Sequence, residues 1–422
     1  MIQDVLALVF AGARTHTLSI LEQKRTNASI PFGGNHRLID FSLSNIANSG
    51  ITRVGVLTQY KPLSLIEHIN FGKPWDLVGR SREVRVLPPY TLESRASWYQ
   101  GTADAIYRNI DFIQADVHEH VLFMSGEDVY KFDFDELYDF HHSKNADIAI
   151  VGKYMEPDTA LSRFGIINID SDGKVLAFNE KPKKPKSNLI YISIALFKKD
   201  ILLDEIRLDA KDSNSSHNFS ADILPNLIKK YKVYTYINKN PWHYIGNIDE
   251  YWNTNIQMLK KNTQIDPEKW GIRTNIDDRN SCYRIPAIIK NSANIKNSII
   301  SKGCIINGAV KNSVIFPGVR VEKTAKIVDS IVMHDCYISQ NCNINKSILD
   351  KDVYLEKNVT IGTGPNTKNK EFPHDYYSGI SVIGKSVVIP KNLVIGKNCL
   401  IFDTANLEKL KNKNIPSGSC IK

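Results

Sequence analysis

"KNSII" (296–300), "KNSVI" (311–315), "VDSIV" (328–332) and "NKSIL" (345–349) place serines at 298, 313, 330 and 347, spaced by 15, 17 and 17 residues. Within these units an isoleucine or valine returns about every six residues, as at Ile327, Ile338, Ile344, Val353 and Val359. A stacked β-helix accounts for such a period, because each coil buries one aliphatic side chain per face and cannot stand without its neighbours. A run of ordinary hairpins has no reason to hold the spacing fixed. Residues 281–422 therefore read as a left-handed parallel β-helix with its serines stacked from coil to coil.

Upstream of residue 280 the pattern is different. Apolar runs at "VLALVFAG" (5–12), "RVGVLTQY" (53–60), "HVLFMSGED" (120–128) and "ADIAIVGKY" (146–154) read as buried strands, with helical spacing in "LIDFSLSNIANSG" and "GTADAIYRNIDFIQ" between them. Such alternation marks a mostly parallel α/β sheet covered on both faces. Ligands of such sheets bind beyond the carboxyl ends of the strands, where "AGARTHT" and "SGEDVY" fall. The stretch "FGIINIDSDGKVLAFNEKP" (164–182) reads as a hairpin turning at Asp-Gly. Two domains are expected, 1–280 and 281–422.

Charge and cysteine content narrow the function classes. Residues 281–422 hold 20 Lys+Arg against 10 Asp+Glu, so the net charge of +9 comes entirely from this part. Its lysines are scattered singly among asparagines and serines, which is a solvated surface and not a nucleic-acid stripe. The six cysteines (Cys282, Cys304, Cys336, Cys342, Cys399, Cys420) form no CxxC pair, as expected of thiols in a reducing compartment. "MIQDVLALVF" lacks a basic leader and runs straight into the first loop, so it reads as a core strand. No run approaches the ~18 apolar residues of a membrane span. The expectation is a cytoplasmic, soluble chain with neither nucleic-acid nor membrane partners.

Several stretches together resemble one family. "PFGGNHRLIDFSLSNIANSGITRVGVLTQYKPLSLIEHI" (31–69), "YQGTADAIY" (99–107), "MSGEDVYKFD" (124–133), "FNEKPKKP" (178–185), "HNFSADILP" (217–225), "WHYIGNIDEYW" (242–252) and "YYSGISVIGKSVVIP" (376–390) stand in the order and spacing of ADP-glucose pyrophosphorylase. That family, glucose-1-phosphate adenylyltransferase, makes ADP-glucose and diphosphate from ATP and glucose 1-phosphate in glycogen and starch synthesis. The resemblance implies a Rossmann-like, GT-A-like nucleotidyltransferase domain followed by the β-helix. It also implies Mg²⁺ as cofactor, a tetrameric assembly, and an allosteric sugar-phosphate site.

The resemblance also exposes departures. Adenylyl transfer is driven by positioning and charge neutralisation around the triphosphate. The family's loop Gly-Gly-Arg-Gly-x-Arg is matched here by Gly12, Ala13, Arg14, Thr15, His16 and Thr17, and its Arg-Ala-Lys-Pro by Arg25, Thr26, Asn27 and Ala28. Two glycines, an arginine and a lysine are thereby replaced, and Arg14 remains to supply charge. The metal carboxylates implied by the family fall on Glu127 and Tyr244, with Asp128 a stand-in for the first. Magnesium takes oxygen ligands and usually only one or two carboxylates, so neither is easily spared.

On the sugar side Glu180 and Lys181 match the family, whereas Tyr191, Asn218 and Ala221 replace a serine, an aspartate and a lysine. Gly12, Gln100, Gly101 and Thr102 match the nucleotide side, although "PFGG" and "GTADA" could equally persist as a turn and a helix start. Lys24, Arg25 and Arg37 match basic residues of the allosteric site, or are scattered surface basics, and Phe32 differs where some members carry histidine.

Three classes follow: an active adenylyltransferase, a catalytically silent regulatory or structural subunit that assembles with a catalytic paralogue, and an acyltransferase working from the β-helix. The third wants a longer uninterrupted helix and a histidine at a coil interface, and His334 is the sole histidine within the clear repeats. Phosphate loop, second cation, metal ligand and sugar contacts have changed together while the framework has stayed, and that correlation favours the silent subunit.

Overall fold

Val5–Phe10 is an all-aliphatic run closed by phenylalanine, and it sits in the middle of a nine-stranded sheet. It pairs in parallel with Arg53–Leu57 on one side and His120–Ser125 on the other. Both neighbours are buried, so each face of the strand must be apolar and the sequence shows no alternation. The computed structural model describes residues 4–12, 17–89, 98–156, 160–276, 283–410 and 414–422. The described chain forms two compact units: Met1–Ala13, Ile39–Trp242 and Trp270–Arg273 in the first, and Arg14–Leu38, His243–Lys269 and Thr274–Lys422 in the second.

In the first unit the sheet is parallel through Glu83–Leu87, Arg53–Leu57, Val5–Phe10 and His120–Ser125. It then reverses, because the long strand Leu189–Lys198 runs antiparallel to both His120–Ser125 and Ile148–Tyr154. The expected strands at 5–12, 53–60, 120–128 and 146–154 are present, and so are the helices Ile39–Asn48, Thr102–Arg108 and Ile110–Gln114. The hairpin is present too: Ile166–Ile169 pairs antiparallel with Val175–Asn179 across a turn at Gly173, whose φ of 85° suits glycine. The sequence pattern does not reveal the reversing strand, since a doubly buried strand reads alike in either direction.

One irregularity positions side chains. The pairing of Leu189–Lys198 with Ile148–Tyr154 slips between Tyr191 and Ala195, and Ser193 within the slip has φ 57°. A bulge of this kind re-aims side chains beside functional sites. Behind it Phe123 stacks on Phe197 at 5.1 Å, and Phe219 meets Phe123 edge-on at 4.6 Å. This aromatic cluster is the floor on which the cavity described below rests.

The second unit is built on a left-handed β-helix of three parallel sheets. Its core columns are read directly from the register: Val310, Ile327, Ile344, Ile361 and Ile395 in one sheet, and Ile315, Val332, Leu349, Ile383 and Ile401 in another. The serine stack is present. Ser298, Ser313 and Ser330 each accept from the backbone N–H of the next serine at 3.1–3.2 Å, and Ser298, Ser313, Ser330 and Ser347 each donate to the carbonyl two residues earlier. The residue before each serine (Asn297, Asn312, Asp329, Lys346) has positive φ, which asparagine and aspartate adopt more readily than most. Asparagines that read as mere surface are in part the corners of the coils.

Within this unit, residues 18–38 are fastened by charge. Arg25 is 2% exposed and holds Asp350 through two hydrogen bonds of 2.9 and 3.0 Å. Lys24 pairs with Asp403 at 2.5 Å. Among the described residues no helix is long and apolar enough to cross a membrane.

Candidate functional site

Phe10 and Ser125 lie opposite one another in the parallel register, so the loops that follow them leave the sheet side by side. Gly12 lies in the first loop. A Cβ there would sit 2.5 Å from the Gln59 backbone nitrogen and 2.6 Å from Thr58 Cα, so the glycine is required by close backbone approach. Arg14 lies outside the described residues. Thr17 is half-buried in the turn that leads to residues 18–22.

Between these strand ends and the bulge lies a cavity of about 170 Å³, lined by Phe10, Thr102, Phe123, Ser125, Glu127, Tyr191, Ser193, Phe219 and Ser220. Thr102 opens the helix Thr102–Arg108, and its Oγ1 accepts from the Phe219 N–H at 2.9 Å. Gly101 lets that helix start against the 217–218 backbone, since a Cβ would lie 2.1 Å from the His217 carbonyl oxygen. Gln100 is exposed, and its N–H is held by Asp104 at 2.8 Å. Tyr191 is 5% exposed, and its hydroxyl has no hydrogen-bond partner among the described residues. Burial, followed by the Glu180 charge, pushes that phenol well above its ordinary range.

Glu127 and Asp128 separate here. Glu127 lines the cavity with its N–H on Ser125 Oγ, whereas Asp128 is 4% exposed and lies near Tyr130, whose phenol is pushed up by its own burial first, with the Asp128 charge adding to the shift. Asn218 acts as a helix cap, accepting from the Ser220 and Ala221 N–H groups. Glu180 is half-buried, and burial raises its carboxyl above the usual carboxylate range, with Lys181 at 3.7 Å opposing the shift. Lys181 itself is exposed and has φ 44°.

In the second unit Asn27 is 2% exposed at the start of the short helix Asn27–Ser29, and Arg37 is 7% exposed. Tyr244 is half-buried just before the helix Ile248–Gln257, which Asn247 caps. His334 is packed against Phe316, and burial drives its pKa well below the ordinary histidine value. A ring buried in this way offers no exposed base for acyl transfer.

The nucleotidyl transferase family pattern matches residues 6–261, and the GlmU-like, C-terminal hexapeptide pattern matches residues 286–383. Glucose-1-phosphate adenylyltransferase of Acetivibrio thermocellus is 37% identical over 99% of this chain and 98% of the relative. The proteins of that name from Thermosipho africanus and Thermosipho melanesiensis are each 39% identical over 99% of this chain and the whole of the relative. The chain belongs to the glucose-1-phosphate adenylyltransferase, or ADP-glucose pyrophosphorylase, family.

Of the residues expected to hold Mg²⁺, Glu127 lines the cavity and Asp128 is buried in the first unit, and Tyr244 of the second unit carries a phenol where the expectation was a carboxylate. Ser193, Phe219 and Ser220 join the site only in three dimensions. The backbone slip that exposes Ser193 leaves no residue signature, and Phe219 reads in sequence as ordinary core.

Proposed function

We propose that this chain is a catalytically silent or impaired regulatory or structural subunit of glucose-1-phosphate adenylyltransferase, serving α-glucan synthesis in a reducing, cytoplasmic compartment. The observation that carries the reading is the replacement of charge and glycine in the first loop: Thr17 stands where the family has an arginine, and Ala13 and Thr15 stand where it has glycines. Catalysis at a triphosphate depends on cations and amides fixed around the phosphates. Support also comes from Asn27 and Tyr244, which are neutral where the family has a lysine and an aspartate, and from the buried Tyr191 phenol where it has a serine. The retained Glu180 and Lys181 fit a chain that still holds a sugar phosphate, and that is the observation favouring an active enzyme as second reading.

Lys24, Arg25 and Arg37 are the basic group we assign to a sugar-phosphate effector, Arg25 acting through its hold on Asp350. Assembly with copies of itself or with a catalytic paralogue, as a tetramer, is supported by the open first coil of the β-helix, where Tyr283, Ile285 and Ile289 are exposed. The reducing compartment is supported by the thiols of Cys304, Cys336, Cys342 and Cys399, which are free, buried and pushed upward by burial. The test is formation of ADP-glucose by the purified chain from ATP and glucose 1-phosphate with Mg²⁺. Background turnover is expected, and about one turnover per second or more overturns the proposal.

A further inference from the structure

At the other end of the strand that leads to the cavity stands a cluster of histidines with no part in that site. His120 opens the strand His120–Ser125, and His141 and His142 lie in the last turn of the helix Phe134–Ser143. One potential ligand nitrogen from each lies within 4.8 Å of the other two. The rings meet edge-on, with centroids 5.2 Å apart for His120 with His141 and for His120 with His142, and 5.7 Å apart for His141 with His142.

The cluster has the supporting parts of a metal centre. His141 is 1% exposed, and among the described residues neither ring nitrogen has a hydrogen-bond partner at ordinary distance, the Asp147 backbone acting on the ring only as a longer-range acceptor. A buried imidazole left in that state is costly unless something takes its lone pair. His120 Nδ1 lies 3.1 Å from Asp4 Oδ2, and Asp4 Oδ1 accepts from the Glu119 N–H at 2.7 Å, which fixes the carboxylate. In the neutral tautomer that donates from Nδ1 to this carboxylate, the Nε2 lone pair of His120 is left for a ligand role. A carboxylate behind a histidine is the usual outer support of a bound metal. His142 is exposed and gives an ion a way in, and the Tyr138 ring packs against it at 4.4 Å.

We propose that His120, His141 and His142 bind one borderline divalent cation of the Zn²⁺ class, with the remaining position open to water and Asp4 as the orienting carboxylate. Three imidazoles select against Mg²⁺ and Ca²⁺, which take oxygen ligands. Zinc–nitrogen bonds of about 2.0–2.1 Å hold neighbouring ligand nitrogens ~3.4 Å apart, so the rings draw in from their present spacing, with exposed His142 moving most. The ion then ties the start of a central strand to the end of a surface helix. It stabilises the first unit by an amount that grows with the logarithm of free ion concentration above its dissociation constant.

The experiment uses the full chain, stripped with chelator and titrated with Co²⁺ as spectroscopic probe and Zn²⁺ as competitor. One Co²⁺ per chain is expected, with ligand-field absorption of a nitrogen and oxygen set, displacement by Zn²⁺ and a raised melting temperature. His142→Ala and His120→Gln should each weaken binding by about tenfold or more, and Asp4→Asn by roughly tenfold. His142 is exposed, so His142→Ala decides the matter if His120→Gln unfolds, with circular dichroism as the check on folding. No binding, binding unchanged in His142→Ala, or a thiolate-to-cobalt charge-transfer band placing the ion on cysteine would each overturn the proposal.

Discussion

Gly12 is the lone glycine of "FAGARTHTLS" (10–19), and its role is set by a neighbouring backbone. The loop needs one residue without a side chain where it passes Thr58 and Gln59, and the close approach of their main-chain atoms leaves no room for a methyl group. Gly12→Ala is therefore expected to destabilise the first unit by about 1–3 kcal/mol, the cost of forced overpacking. Urea unfolding followed by circular dichroism measures it, and a change under about 0.5 kcal/mol would show that the loop simply moves aside. The same restraint explains why the loop keeps this glycine even though the family's other two are replaced.

The serine column shows what one side chain contributes to a stack of coils. Ser330 donates to the Val328 carbonyl and accepts from the Ser347 N–H; Ser330→Ala leaves the buried Ser347 N–H without its partner, while the Val328 carbonyl keeps the Lys346 N–H. A loss of about 1–3 kcal/mol is expected in the second unit, and Ser298→Ala, nearer the exposed end of the column, should cost less. Equal effects of the two substitutions in denaturant titrations would contradict this role for the column. The β-helix is legible in the sequence because a coil repeats its chemistry at fixed spacing, and the aliphatic columns and the serines recur together. The strands of the first unit are legible for a related reason, their long buried runs. The cavity is less so. Tyr191 and Ser193 reach it through a slip in strand pairing, and Asp128 and Glu127 differ in burial although they are neighbours in sequence. Arg25 likewise reads as a surface cation until Asp350, far along the chain, is seen to hold it.

At the scale of the whole chain, pH and activity give the broadest tests. His334 is buried near Lys351, Arg37, Arg284 and Arg25, and its folded pKa lies well below the ordinary 6.5. The unfolded ring takes up a proton below about pH 6.5 and the folded ring does not, so this group's contribution to stability falls as pH drops through that range, with a slope of up to about 1.4 kcal/mol per pH step of one. His334→Gln should flatten the dependence between about pH 7 and 5, and an unchanged slope of denaturation midpoint against pH would refute the assignment. Activity is the wider question. If three charges have been lost at Thr17, Asn27 and Tyr244, each worth about 10²–10³ in rate, returning them should restore turnover even though such effects add poorly. Asn27 is only 2% exposed, and an ammonium there must be desolvated, so Thr17→Arg with Tyr244→Asp is the first variant to make and Asn27→Lys is added to it. The double variant is expected to raise ADP-glucose formation at least about tenfold over the starting chain, with the triple variant higher if it folds. A starting chain already turning over several times per second, with no gain from Tyr244→Asp, would mean that Glu127 and Arg14 carry the missing roles and that the chain is an ordinary catalyst.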